Sequence, residues 1–296
     1  MQRDEVAEPL QPDYNVAPTK PVYTVLDRAE RPARPEGEPD GDQSDDGRGD
    51  DGRGEAAATG AAGVRAGGVA RELRVMRWGL VPFWAKDIKI GSRMINARAE
   101  TIAEKPAFRR AFAKRRCLLP ADGYYEWMQQ PGEPKQPIYI SRTDGQSLAF
   151  AGLYELWRDP AVPRDDEQAW LWTTTIITTS APDELGMIHD RMPMIIDPAG
   201  WTDWLDPANS DVADLRALLT PAMISDLTTW PVSTEVNSVR HNGPQLIEPA
   251  DGDHVSPLAA ARPARSAPPS RPVPSAGQGA APGAAHFGTD GTGVLF

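Results

Sequence analysis

Three short strings set polar side chains among apolar or aromatic neighbours. In MINARAET, Asn96, Arg98 and Glu100 fall on alternate positions, so on a strand they share one face. In PADGYYEWM, Glu126 stands between Tyr125 and Trp127. A carboxyl held among aromatic rings is desolvated, which raises its pKa toward the range of a proton shuttle at neutral pH. In GMIHDRMPMII, His189 is followed by Asp190 and Arg191, neighbours able to fix its tautomer or its charge. Each residue also has a plain structural reading. Glu126 can face solvent from an edge strand, His189 can be a hydrogen-bonded structural histidine, and Asn96 can be a turn residue. Ser180, His189 and Asp190 invite a hydrolase triad, but triads are recognised by geometry and nothing in this spacing supports one. Gly-rich phosphate loops, HExxH and GxSxG strings are absent from the sequence.

Cys117 is the single cysteine. It rules out an internal disulfide and a multi-Cys zinc site, and no metal or cofactor is expected. In RRCLLPAD it adjoins an apolar run, the setting of a buried core thiol. RWGLVPFWAKD gathers Trp78, Phe83 and Trp84 beside Gly, Pro and basic residues. Loop aromatics of this kind stack on unpaired bases while Arg and Lys hold phosphates; the alternative is a small core beneath a loop. The formal net charge of -11 does not exclude nucleic acid, because it is unevenly spread. Residues 36–51 hold eight acids and one Arg, whereas residues 105–116 (KPAFRRAFAKRR) hold six bases and no acid. The overall pI therefore says little about the partner of the folded part.

The elements that must position these residues are mostly strands. Runs with β character are PVYTVL (21–26), ELRVMRW (72–78), GYYEWM (123–128), PIYISR (137–142), LAFAGLYEL (148–156) and AWLWTTTIITTS (169–180). Helices are predicted at 106–116, from a Ser180/Asp183 cap with Pro182 in the first turn, at 198–205 and at 211–219. Strands without βαβ alternation imply one α+β domain on a mainly antiparallel sheet or open barrel with short flanking helices. Residues 1–27 and 71–253 are assigned to this domain. The Gly- and Asp-rich residues 28–70 read as a disordered insertion in place of a hairpin loop, and the Pro/Ala-rich residues 254–296 as a disordered tail. No apolar run is long enough for a membrane span, and QRDEVAEPL lacks a signal-peptide apolar region. A cytoplasmic, nucleoid-associated protein without membrane contact is expected.

Read in order, YNVAPT (14–19), RWGLVPFWAKD (77–87), INARAET (95–101), PAFRRAFAKRRCLLPADGYYEW (106–127), FAGLYE (150–155), TTSAPDELGMIHDRMP (178–193) and NSVRHNGPQLIEP (237–249) go further. They closely resemble the SOS response-associated peptidase (SRAP) family of abasic-site processing proteins, from about Tyr14 to Pro249. The resemblance implies binding of single-stranded DNA at abasic sites. In the family, removal of the initiator Met exposes an N-terminal Cys. Its α-amine forms a Schiff base with the ring-opened sugar, and its thiol closes a thiazolidine, leaving a covalent DNA–protein linkage. Self-processing peptidase and DNA lyase activities accompany this DNA-damage chemistry. By resemblance Asn96 orients the N-terminus, Glu126 shuttles protons and His189 acts on the sugar as acid/base. Arg98, Trp78, Trp84 and Trp127 line the DNA channel, and a monomer is expected. One departure stands out: family members begin MCGR with a helical stretch ahead of YNVAP, whereas this chain begins MQRDEVAEPL. The expectation is a start site lying further upstream; the alternative is a crosslink-dead module that binds single-stranded or damaged DNA.

Overall fold

The computed structural model describes residues 2–4, 6, 8–29, 68–129, 131–163, 165–220 and 226–250. Its strands are β1 (Gln2–Asp4), β2 (Pro21–Ala29), β3 (Val69–Trp78), β4 (Asn96–Arg98), β5 (Arg116–Ala121), β6 (Gly123–Met128), β7 (Gln136–Arg142), β8 (Leu148–Arg158), β9 (Trp170–Ser180), β10 (Arg191–Pro193) and β11 (Leu227–Pro231). The α-helices are short: α1 (Arg109–Lys114), α2 (Asp183–Gly186), α3 (Trp201–Leu205) and α4 (Val212–Leu218).

Alternation of buried and part-buried residues along β2 marks a strand with one face inward. It pairs antiparallel with β3 from Pro21↔Arg77 to Ala29↔Val69. Strands β3, β2, β5, β8 and β9 then bond in that order, each pair antiparallel. β9 returns to β3 at Arg77↔Thr173 and Trp78↔Thr174, and this closing pair is parallel. An odd number of strands in an up-and-down ring requires one parallel contact. The barrel thus has no free edge along this circuit. β7 pairs antiparallel with β6 and β11 in a second sheet. The expected α+β class holds, with strands dominant and helices short.

One core joins the barrel interior to the second sheet: Leu26, Met76, Trp78, Cys117 and Ile176 pack with Tyr124, Tyr125 and Ile138. A second lies outside the barrel, where Phe112, Trp204 and Leu215 cover Leu118, Leu153 and Ile177. β8 and most of β9 are therefore buried on both faces, which explains their continuous rather than alternating character. The Thr run of β9 is accommodated by side-chain bonds: Thr174 Oγ1 donates to Leu153 O at 3.0 Å, and Val81 N–H donates to Thr173 Oγ1 at 2.9 Å.

Two edges differ from the sequence expectation. Residues 28–29 and 69–70, assigned to the insertion, belong to the β2–β3 ladder; residues 30–67 of that segment, and the tail at 254–296, lie outside the described residues. Ser180 does not cap a helix. It ends β9, and α2 starts after Pro182, whose ring can offer no capping side chain. By contrast the helix expected at 211–219 is capped by Asp211, which accepts from Ala213 N at 2.8 Å and Asp214 N at 3.1 Å.

Candidate functional site

Glu126 lies on β6 opposite Ile138 and is only 4% exposed. Tyr124, two positions earlier and so on the same face, is fully buried edge-on against Phe150. Burial, and then the negative charge of Asp190, push the Glu126 carboxyl up to about 8, against the opposing effects of Lys135 and the Trp127 N–H. His189 follows α2, with its N–H donating to Leu185 O at 3.0 Å. Its Nδ1 lies 3.9 Å from Glu126 Oε2 and 3.3 Å from Asp190 Oδ1. The Arg191 N–H donates to the same Nδ1 at 3.0 Å. The Arg191 carbonyl oxygen lies 3.2 Å from the same Nδ1, so the Arg191 main chain holds this ring nitrogen by both its N–H and its C=O. Glu126 and His189, 63 positions apart in the sequence, thus meet in space. A carboxyl that titrates near neutrality beside an imidazole held by main-chain contacts can pass protons to and from a reacting carbonyl.

Asn96 and Arg98 alternate on β4, with the intervening Ala97 buried. β4 runs parallel to β9 with Asn96 beside Ile176, and Ile176 belongs to the core that also holds Tyr125 and Ile188. Asn96 is half-buried beside that core. Arg98 is exposed. Glu100 lies beyond the strand, in the turn that follows it. Trp127 is half-buried, and its Nε1 donates to Asn237 Oδ1 at 2.7 Å.

The string RWGLVPFWAKD divides. Trp78 is fully buried, and its Nε1 donates to Ile95 O at 2.9 Å. It is a core residue with no face to offer a base, which corrects its assignment to the DNA channel. Gly79 then turns the chain at φ +117°, where a Cβ would lie 2.6 Å from Gly91 O. Beyond that turn Phe83 and Trp84 are 48% and 50% exposed, with the Arg110 guanidinium 4.8 Å over the Phe83 ring. Trp84→Ala should leave the unfolding free energy in urea within about 0.5 kcal/mol of wild type. A larger loss would place Trp84 in the core with Trp78.

Some interactions have no signal in the sequence. Asn15 of YNVAPT is fully buried, and its Nδ2 donates to Val236 O, Ser238 O and His241 O at 3.1, 3.1 and 3.3 Å. The Tyr125 hydroxyl donates to Tyr14 O at 2.8 Å. Two strings more than two hundred residues apart are thereby knotted beneath β6. The N-terminal strand pairs Gln2–Asp4 with Arg71–Leu73, at the opposite end of β3 from Trp78. Two cavities, of about 790 and 580 Å³, are lined by neither Glu126, His189 nor Asn96. Among the described residues there is no group of three or more His, Cys, Asp or Glu placed to hold a metal, and no helix long and apolar enough to cross a membrane.

Residues 1–239 match the family described as SOS response associated peptidase (SRAP). The chain belongs to the SRAP family. This SRAP chain is 46% identical over 173 residues to the abasic site processing protein YoqW of Bacillus subtilis, covering 58% of this chain and 75% of that one. It is 34% identical over 204 residues to the abasic site processing protein HMCES of Gallus gallus, covering 61% and 58%. Among solved structures it resembles a Bacteroides thetaiotaomicron protein with TM-score 0.53 and 31% identity, over 60% of this chain and 77% of that one. The strings that resembled the family thus lie in a chain of SRAP sequence and SRAP-like fold.

Proposed function

We propose that this protein processes abasic sites in single-stranded DNA, in the cytoplasm and as a monomer. The observation that carries this reading is Glu126, its carboxyl raised to about 8 by burial and standing 3.9 Å from the His189 ring. Opening an abasic sugar to its aldehyde moves a proton, and condensation with an amine expels water, which needs another. A carboxyl poised near neutrality serves both directions, and His189 serves the sugar oxygen. Asn96 orients the amine. Exposed Arg98 holds phosphate, while Trp84 and the half-buried Trp127 offer ring surface to unpaired bases. Peptidase, lyase and covalent-linkage activities belong to this proposal by likeness to the family.

The thiazolidine step needs a thiol next to a free α-amine. Among these 296 residues the one thiol is Cys117. It is fully buried against Thr174, and burial pushes it up to about 12. It is therefore protonated, inaccessible and without the α-amine. This favours, for the 296 residues by themselves, the second reading of a module that binds without linking.

One experiment addresses both readings. Abasic, intact and duplex oligonucleotides are titrated with the 296-residue protein and with a form extended upstream to a Met-Cys-Gly-Arg start. Both forms should prefer single strands and lose affinity steeply with salt. Trp84→Ala should cost about 1–3 kcal/mol of binding, since one stacking surface is removed. Only the extended form should leave an adduct that survives heat and denaturing electrophoresis. Equal affinity for duplex and single strand would sink the binding reading. A heat-stable adduct on the 296-residue chain would sink the assignment of the linkage to an N-terminal cysteine.

A further inference from the structure

One polar contact outside the Glu126–His189 pair joins two elements that carry site residues. Glu100 lies in the turn after β4, and Arg191 opens β10. Arg191 Nη1 donates to Glu100 Oε1 at 2.7 Å, and Nη2 donates to Oε2 at 3.0 Å. The same guanidinium donates to Thr178 O at 2.7 Å, and to Thr178 Oγ1 and Ser180 Oγ at 3.3 Å each. Thr178 pairs with Arg98 of β4 and with Pro193 of β10. A strand residue has two edges, so β4 and β10 lie on opposite sides of β9. The Arg191 side chain therefore crosses the end of β9 and fastens the turn beyond β4 to the strand on the far side.

A two-nitrogen, two-oxygen fork fixes direction as well as distance. Glu100 remains a carboxylate in this contact, because the Arg191 hydrogen bonds hold it below the usual range. Fixing Arg191 also fixes its main-chain N–H and C=O, which lie 3.0 and 3.2 Å from His189 Nδ1. The chain of contact runs from the Glu100 carboxylate through Arg191 to the imidazole. A rival account is that the β9–β10 ladder, with Ala181 N–H on Asp190 O at 2.9 Å, holds the turn without help.

We propose that Glu100 is a positioning residue: by clamping Arg191 across the end of β9 it holds the His189 turn against the Asn96 strand and keeps the His189 ring fixed on the Arg191 main chain in a single tautomer. Its importance to function rests on the reading of His189 as the acid/base at the sugar; Glu100 itself touches no substrate.

The test is histidine-selective ¹⁵N NMR of the whole 296-residue protein at about pH 8, above the ordinary imidazole range. The chain has four histidines, and the His189 signals are those that disappear in His189→Gln. Wild type should show one tautomer. Glu100→Ala and Glu100→Leu, which offer Arg191 no acceptor, should lose that single-tautomer signature and give signals averaged between the two tautomers. Arg191→Lys keeps the main-chain N–H and the charge but not the fork, and should do the same. Near-UV circular dichroism reports whether each variant is folded, and any one folded member of the three is enough to decide. An unchanged single-tautomer signature in a folded variant overturns the clamp and leaves the DNA reading standing. A wild-type protein that does not distinguish abasic from intact single strands sinks the DNA reading, whatever the tautomer does.

Discussion

Glu126→Gln should make the protein more stable than wild type at pH 9, and the advantage should shrink to under about 1 kcal/mol by pH 5. In the unfolded chain the carboxyl titrates near its ordinary 4.5, but in the folded protein it titrates at about 8. Between those values the folded state holds a proton that the unfolded state has released. Stability therefore falls as pH rises through this window and levels off above it. A gap of this size corresponds to at most about 5 kcal/mol. Gln has nearly the same shape and cannot ionise, so the variant lacks this slope. Urea unfolding at several pH values between 5 and 9 measures it directly. The same substitution should slow adduct formation by the extended form about 10²–10⁴-fold, since no proton can be passed. Parallel pH–stability curves for the two proteins would show that the Glu126 carboxyl is not buried as described.

This prediction was visible in part from residue order alone. A carboxyl between two aromatic residues is conspicuous, and its desolvation follows from that neighbourhood. The source of the burial was not visible. β6 turns Tyr124, rather than Tyr125 or Trp127, to the face that Glu126 shares. His189 stood out as a residue type, but its approach to Glu126 depends on how β6 and the turn after α2 meet through the core. No local pattern encodes that meeting. The β2–β3 hairpin was legible because its burial alternates. β9 was legible as a strand from its β-branched run, whereas its fourfold role was not. It closes the barrel, carries β4 and β10 and anchors Arg191, and covering both faces erased the period-2 signal. Trp78 and Trp84 share one string and have opposite fates, decided by the turn at Gly79. The Glu100–Arg191 fork joins residues 91 positions apart, beyond any spacing rule for a single element.

Residues 105–116 show the same limit for charge, and they carry the second large expected effect. As a string, six bases look like one phosphate-binding patch. In the fold Arg115 is paired with Glu155, and Arg116 turns inward to 4% exposure. The Arg116 guanidinium donates to Trp204 O at 2.8 Å, Phe112 O at 3.1 Å, Ala113 O at 2.8 Å, Asp206 O at 2.5 Å and Asn209 O at 2.9 Å. Phe112 and Ala113 lie in the last turn of α1, and Trp204 near the end of α3, where helix carbonyls lack partners of their own. One planar group with five donors satisfies both helix ends at once. Arg116→Ala should therefore cost about 3–5 kcal/mol of unfolding free energy, because buried carbonyls are left without donors and the cavity cannot refill. Arg116→Lys should recover only part of this, since an ammonium cannot span the same five oxygens. Arg109 and Arg110 are exposed on α1. Their replacement by Ala should each change stability by less than about 0.5 kcal/mol. It should also lower the slope of DNA affinity against salt by about one for each phosphate the side chain neutralised. Urea unfolding and salt titration of the same set of variants separate the two roles. If Arg116→Ala unfolds like wild type and instead flattens the salt dependence, the side chain is a DNA contact and not the staple between α1 and α3.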